Sequence, residues 1–186
     1  MTMTGPVATT FAAQRVRRLG VPEHARSIRI VHDLDGIQHE VAPGVLTTTG
    51  DALWDTLTRD PAFTIPDLLL GLDAGGILPT VAVALASGLP YRLAWKLDLD
   101  LPDKARFSEP HANRTDVYAY GDLAGRRVLI VDDEITTGRT LAGLVQVLRD
   151  GGAHVTGIAC LIEDTTGQAR AIMDALGVPL CTLTRI

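Results

Sequence analysis

Val128-Leu129-Ile130-Val131-Asp132-Asp133-Glu134-Ile135-Thr136-Thr137-Gly138-Arg139-Thr140 is the stretch that decides how this chain folds. Arg127–Val131 is apolar and mostly β-branched after its first residue, as expected of a strand buried on both faces. Two adjacent carboxylates stand where that strand should end. Two threonines, a glycine and a third threonine then lead into a helical pattern that runs to about Leu148 and stops at Gly151-Gly152. Backbone N–H groups at a helix start lack intrahelical partners and sit at the positive end of the helix dipole, so the loop Asp132–Gly138 is an anion site. Thr136, Thr137 and Thr140 add hydroxyl donors, and Gly138 lets the backbone come close to a ligand.

A phosphate does not tolerate carboxylates beside it, so the acids must face another part of the ligand. Adjacent carboxylates accept hydrogen bonds from vicinal hydroxyls. A phosphate at one end and a cis-diol at the other describe ribose 5-phosphate. Three rival readings fail. A receiver domain needs a phospho-accepting Asp at a later strand end and a lysine beyond it, but no lysine follows Lys104 and Asp174 falls in a helical pattern. Neither Gly-Lys-Ser/Thr nor Gly-x-Gly-x-x-Gly occurs at a strand–helix junction. An acid-rich turn that merely caps a helix needs one capping side chain, not this whole series.

Outward from this stretch, strands and helices alternate. Asp67–Leu72, Tyr91–Lys96, Val117–Tyr120, His154–Ile162 and Pro179–Thr184 read as strands; Ile77–Ser87 and Gly167–Leu176 read as helices. This order predicts right-handed βαβ units and a mainly parallel sheet with ligands beyond the carboxyl ends of its strands. The loops Asp73–Gly76 and Asp132–Gly138 both fall there. Toward the N-terminus, Phe11–Leu19 reads as a short helix. Ser27–His32 and Ile37–Val41 read as strands joined at Asp35-Gly36, and Thr48–Arg59 as a helix capped by Thr48 or Thr49. Leu97–Thr115 is polar, carries Pro102 and Pro110, has no clear period, and reads as a long loop.

The chain has 186 residues, enough for one domain with a real core, and a net charge of −5 that argues against a nucleic-acid binder. Lys96 and Lys104 are its only lysines. Cys160 and Cys181 lie in apolar runs and read as buried thiols, and no metal-ligand spacing occurs. The start lacks a secretory pattern and no apolar stretch is long enough to span a bilayer, which predicts a cytoplasmic protein without a membrane partner.

Val128–Thr140 resembles the PRPP (phosphoribosyl pyrophosphate) motif of type I phosphoribosyltransferases: four apolar residues, two acids, two variable positions, then Thr-Thr-Gly-x-Thr or a variant. Gly71-Leu72-Asp73-Ala74-Gly75-Gly76-Ile77 resembles the pyrophosphate loop of that family, and Lys96 its pyrophosphate-directed basic residue. The resemblance implies an open, mainly parallel α/β sheet with helices on both faces and a small hood over residues 1–186. The hood is drawn partly from residues 1–47 and the PRPP core from about 67–162. It places ribose hydroxyls on Asp132 and Asp133, the 5-phosphate on Thr136, Thr137, Gly138, Arg139 and Thr140, and pyrophosphate on Ala74, Gly75, Gly76 and Lys96. Glu134 stands where an apolar residue is common and receives no role.

The same resemblance implies transfer of ribose 5-phosphate from PRPP to a nitrogenous, heteroaromatic base, in nucleotide salvage or biosynthesis. Mg²⁺ is implied, held mainly through PRPP itself, as is a homodimer. Thr136 stands where the hypoxanthine-guanine branch has Asp, which points away from that route to 6-oxopurines. Leu97–Thr115 is long for a connection, and its prolines and basic residues read as a mobile lid over PRPP, with Lys104, Arg106, Glu109 and His111 as its candidates. Two other readings are a PRPP-sensing regulator with this fold and a specialised-metabolism enzyme with an unusual acceptor.

Overall fold

The computed structural model describes residues 11–21, 27–61, 63–109 and 115–186. The chain runs β1 (Ala13–Arg17), β2 (Ile28–His32), α1 (Pro43–Thr58), β3 (Leu68–Leu72), α2 (Ile77–Ser87), β4 (Tyr91–Ala94), β5 (Lys104–Glu109), β6 (Thr115–Tyr120), β7 (Arg127–Ile135), α3 (Arg139–Asp150), β8 (His154–Glu163), α4 (Ala169–Ala175) and β9 (Leu180–Arg185). Five of these strands form one parallel sheet in the order β4-β3-β7-β8-β9.

The apolar runs in the sheet are continuous because both faces are covered. Leu68, Leu70, Leu72, Val128 and Ile130 point into a core shared with Leu141, Leu144 and Leu148 of α3 and with Phe107 and Val117. Their neighbours Leu69, Leu129, Val131, Ala159 and Leu161 point the other way, onto Leu53 and Leu57 of α1, Val83 of α2, and Ile30 and Leu34. The two helices that follow β3 and β7 therefore lie on opposite faces. β3 and β7 are hydrogen-bonded neighbours, so the chain leaves their carboxyl ends in diverging directions and opens a crevice between them. α1 packs on α2 at Gly50, where a Cβ would overlap the Ala82 carbonyl.

Several sequence expectations need correction. Phe11–Leu19 is not a helix: β1 pairs antiparallel with β2, Ala13 opposite His32. So short a segment cannot repay the cost of helix nucleation alone, and pairing wins. Ile37–Val41 is not a strand. The Asp35 carboxylate accepts the backbone N–H groups of His32 at 2.9 Å and Ile37 at 2.8 Å and turns the chain away, leaving Ile37 exposed. Helix α1 begins ahead of Thr48, at Pro43, whose fixed φ suits the first helical position. Thr48 and Thr49 are therefore helical residues, not caps, and the Thr48 hydroxyl donates to the Gly44 carbonyl at 2.9 Å.

Leu97–Thr115 is not a featureless loop. β5 and β6 form an antiparallel hairpin, with Phe107, Val117 and Ala119 buried against the core. Ala105 and Phe107 alternate with Lys104, Arg106 and Ser108, a period of two that the flanking prolines obscure in the sequence. A bridge between Trp95 and Tyr118 ties the hairpin to β4, and the Tyr120 hydroxyl accepts the Leu99 N–H at 2.6 Å.

The β1–β2 hairpin sits over the carboxyl edge of the sheet. Arg15 Nη2 lies 2.6 Å from Asp164 Oδ1 just beyond β8, and the Thr184 hydroxyl of β9 donates to the Phe11 carbonyl at 2.9 Å. On the outer strand β9, the Leu180 carbonyl accepts a hydrogen bond from Arg170 at 3.1 Å. No described helix is long and apolar enough to cross a membrane.

The close approach at Gly50 makes a stability prediction. Gly50→Ala gains helix propensity but forces α1 off α2, and we expect a net loss of roughly 1–2 kcal/mol. Urea unfolding checks this; a variant at least as stable as the wild type would show that the two helices can part without cost.

Candidate active site

β7 does not stop at Val131. It continues through Asp132 and Asp133 to Ile135, with Asp132 opposite Cys160 and Glu134 opposite Ile162 of β8. The acid pair thus stands on a strand, not in a solvent-facing loop, and Asp133 is buried. Each carboxylate accepts the next residue's backbone N–H: Asp133 N–H to Asp132 Oδ1 at 3.0 Å, and Glu134 N–H to Asp133 Oδ1 at 2.9 Å. These bonds fix the side chains relative to the backbone.

The turn Asp73–Gly76 after β3 is packed directly on the pair. A Cβ at Gly75 would overlap the Asp133 carboxylate, and one at Gly76 would crowd Asp132 Oδ1 and Leu72. Only glycine permits this approach at either position. The Asp73–Ala74 peptide is cis. Lys96 lies just past the end of β4 with its side chain exposed, and its backbone N–H reaches Asp73 Oδ2 at 3.4 Å. The residues 74–76, Lys96 and the acid pair therefore meet at the carboxyl ends of adjacent strands.

On the other side, residues 136–138 carry the chain into α3. Gly138 caps that helix with φ 71° and rests on Ala169, while a Cβ at Gly167 would overlap the Thr136 carbonyl. The loop is thus backed by the turn before α4. Thr136, Thr137 and Thr140 are half-buried and Arg139 is exposed.

Burial pushes the Asp132 carboxyl well above the ordinary 3.8, and the charge of Asp133 adds to the effect. Burial acts on Asp133 in the same direction but is outweighed by His32, by the bond with Asp132 and by Arg29, which hold it below 3.8. One acid of the pair therefore keeps its proton more tightly than the other. His32 and Phe11 come from the N-terminal hairpin: His32 Nε2 is 3.7 Å from Asp133 Oδ2, and the two rings lie 5.7 Å apart.

A second acid pair closes the edge. At the end of β8, Glu163 is bound by Arg170 at 3.1 and 2.6 Å and by Arg185 at 3.0 Å. Arg15 beside Asp164 holds that carboxyl at about 2, against an opposing effect of burial. Sequence reading missed His32, Arg15 and Asp164. The signal for the acids was present, because Glu163-Asp164 follows a buried strand as Asp132-Asp133 does. Nothing local marked His32.

The lid candidates are not gathered at the acids. Lys104 Nζ contacts Asp98 at 2.5 Å and Arg106 Nη2 contacts Asp116 at 2.8 Å. Glu109 ends β5, and His111 lies outside the described residues. Cys160 is buried and Cys181 half-buried, both as free thiols, and no cluster of metal ligands occurs among the described residues.

The sequence and the architecture match one family. Its profile, described as the phosphoribosyl transferase domain, covers residues 49–184. A xanthine phosphoribosyltransferase of Chloroflexus aurantiacus is 33% identical over 180 residues, spanning 94% of this chain and 82% of that protein. An adenine phosphoribosyltransferase of Streptomyces coelicolor is 34% identical over 149 residues, 77% and 80% of the two chains. The crystal structure of adenine phosphoribosyltransferase from Thermoanaerobacter pseudethanolicus shares the fold with a TM-score of 0.72 at 20% identity, covering 93% of this chain and 95% of that one. The chain belongs to the type I phosphoribosyltransferase family and is an enzyme of that class.

The acid pair yields a prediction about stability. Since the folded protein holds the Asp132 proton more tightly than the unfolded chain, stability falls as pH rises above the ordinary carboxylate value of 3.8. Asp132→Asn removes that decline. The variant should melt higher than the wild type at pH 8, with the gap closing toward pH 4. Calorimetry across this range checks it; a variant that melts lower at pH 8 contradicts the burial argument.

Proposed function

We propose that this enzyme transfers ribose 5-phosphate from PRPP to a purine base, releasing pyrophosphate. The observation that carries the reading is the acid pair wedged against Gly75 at the crevice between β3 and β7, with an anion-binding helix start on its far side. In this reading Asp132 and Asp133 accept the two ribose hydroxyls. Thr136, Thr137, Gly138, Arg139 and Thr140 hold the 5-phosphate, and Ala74, Gly75, Gly76 and Lys96 receive the pyrophosphate.

A nitrogen lone pair of the base forms the new bond to C1 as the bond from C1 to the pyrophosphate oxygen breaks with its electrons, inverting C1. The base's proton leaves to pyrophosphate or solvent. Positioning and charge stabilisation supply the catalysis. The carboxylates beside the ribose suit the cationic character that C1 acquires. Mg²⁺ fits this donor set: the described residues offer no closed cage of their own, and substrate oxygens with water are the usual ligands of this ion. When bound, it offsets the charge of the departing pyrophosphate.

A relative 33% identical over 94% of this chain carries the name xanthine phosphoribosyltransferase, which supports keeping oxopurines among the acceptors despite Thr136. We therefore take xanthine as the first acceptor to test, with adenine, hypoxanthine and guanine beside it. The β5–β6 hairpin and the turn before it act as the cover over bound PRPP. The enzyme works as a cytoplasmic homodimer, which light scattering tests directly.

Release of pyrophosphate from PRPP and Mg²⁺ with each base is the deciding assay. Asp132→Asn and Asp133→Asn should each lower kcat/KM for PRPP on the order of 10–100-fold, the loss expected for a hydrogen bond to a charged group. No turnover with any purine, and no heat on mixing with PRPP and Mg²⁺, would overturn the reading. Hydrogen exchange across residues 97–109 should slow when PRPP is added; exchange unchanged by ligand would show that the hairpin is no cover.

A further inference from the structure

We infer that His32 is a positioning residue that holds the Asp133 carboxylate for the ribose hydroxyls of PRPP, so that the N-terminal hairpin helps to build the donor site. The inference rests on the phosphoribosyl-transfer reading and assigns a residue outside both sequence motifs.

The geometry is specific. The backbone N–H of Leu34 donates to His32 Nδ1 at 3.2 Å. That nitrogen is therefore the acceptor, and the proton of a neutral ring sits on Nε2. Nε2 is buried and has no hydrogen-bond partner among the described residues. It points at Asp133 Oδ2, 3.7 Å away, with both side chains nearly closed to solvent at 4% and 11% exposure. A donor buried without a partner is unfavourable, and this one lies about half an ångström outside hydrogen-bonding reach of a carboxylate.

Gly75 also packs closely on this carboxylate and limits its movement. Its remaining neighbours are the Glu134 N–H on Oδ1, Asp132, and the more distant charge of Arg29 on the same hairpin. Movement of the hairpin toward the sheet would close the bond. The Phe11 ring lies tilted against the imidazole, and the Arg15–Asp164 pair ties the hairpin to the sheet edge. A histidine kept only to fill space would need no donor aimed at an acid, and a phenylalanine would serve as well.

The test compares H32F, which keeps a ring beside Phe11 but has no donor, with H32Q, whose amide nitrogen reaches the place of Nε2. PRPP binding in the presence of Mg²⁺ is measured by calorimetry, KM for PRPP and for the base by initial rates, and folding by melting temperature. H32F should weaken PRPP binding and raise its KM on the order of tenfold, the scale of one hydrogen bond to a charged group, with KM for the base unchanged. H32Q should recover most of this loss. In a D133N background, H32F should cause no further loss. Wild-type PRPP affinity in H32F overturns the inference. So does equal impairment of H32F and H32Q accompanied by lower melting, or an H32F effect that persists undiminished in D133N. A wild-type protein that binds no PRPP overturns the donor reading itself, and this inference with it.

Discussion

Two carboxylates on consecutive residues, Asp133 buried and Asp132 half-buried beside it, repel one another, and several elements of this structure close in on them. The strand β7 delivers Asp132 and Asp133 to the sheet edge with their rotamers fixed by neighbouring N–H groups. Gly75 and Gly76 close in from β3, and His32 from the N-terminal hairpin. The result is an unequal pair in which burial raises Asp132 and surrounding donors lower Asp133. In the reading proposed above, a ligand that brings hydroxyl donors to the pair relieves the conflict.

The sheet and its order of helices were legible because their cause is local. A run such as Leu68–Leu72 or Val128–Val131 has no polar face, and only a strand covered on both sides accommodates it. The helix Ile77–Ser87 ended where expected, since Gly88 adopts φ 71°. The acid pair and the threonine loop were legible for the same reason: strand end, acids and helix start are contiguous in the chain. The readings that failed depended on partners distant in sequence. Nothing in Phe11–Leu19 announces that β2 will pair with it, and the alternation in Lys104–Glu109 acquires meaning only when Phe107 meets α3. His32 belongs to this second group, for its significance is a contact with Asp133, a residue far along the chain.

The N-terminal hairpin is joined to the sheet by a small number of polar ties at the active edge and by a few apolar residues beneath them. Arg15 holds Asp164, Thr184 holds the Phe11 carbonyl, and Ile30 and Leu34 fill the core above α1. These polar ties are made at the carboxyl ends of β8 and β9, beside the acid-bearing end of β7. The hairpin and the acid-bearing edge thus lie against one another, although the residues that build them are far apart in the sequence.

Arg170 has a consequence beyond the ion pair it makes with Glu163. β9 is the last strand of the sheet, and a bare outer strand invites another chain's backbone to pair with it. Arg170 reaches over this edge, neutralises the buried Glu163 and occupies the Leu180 carbonyl with the same guanidinium. The side chain that steadies the interior thus also guards the border, and crowded copies of the protein are denied one of the places along which they would zip together.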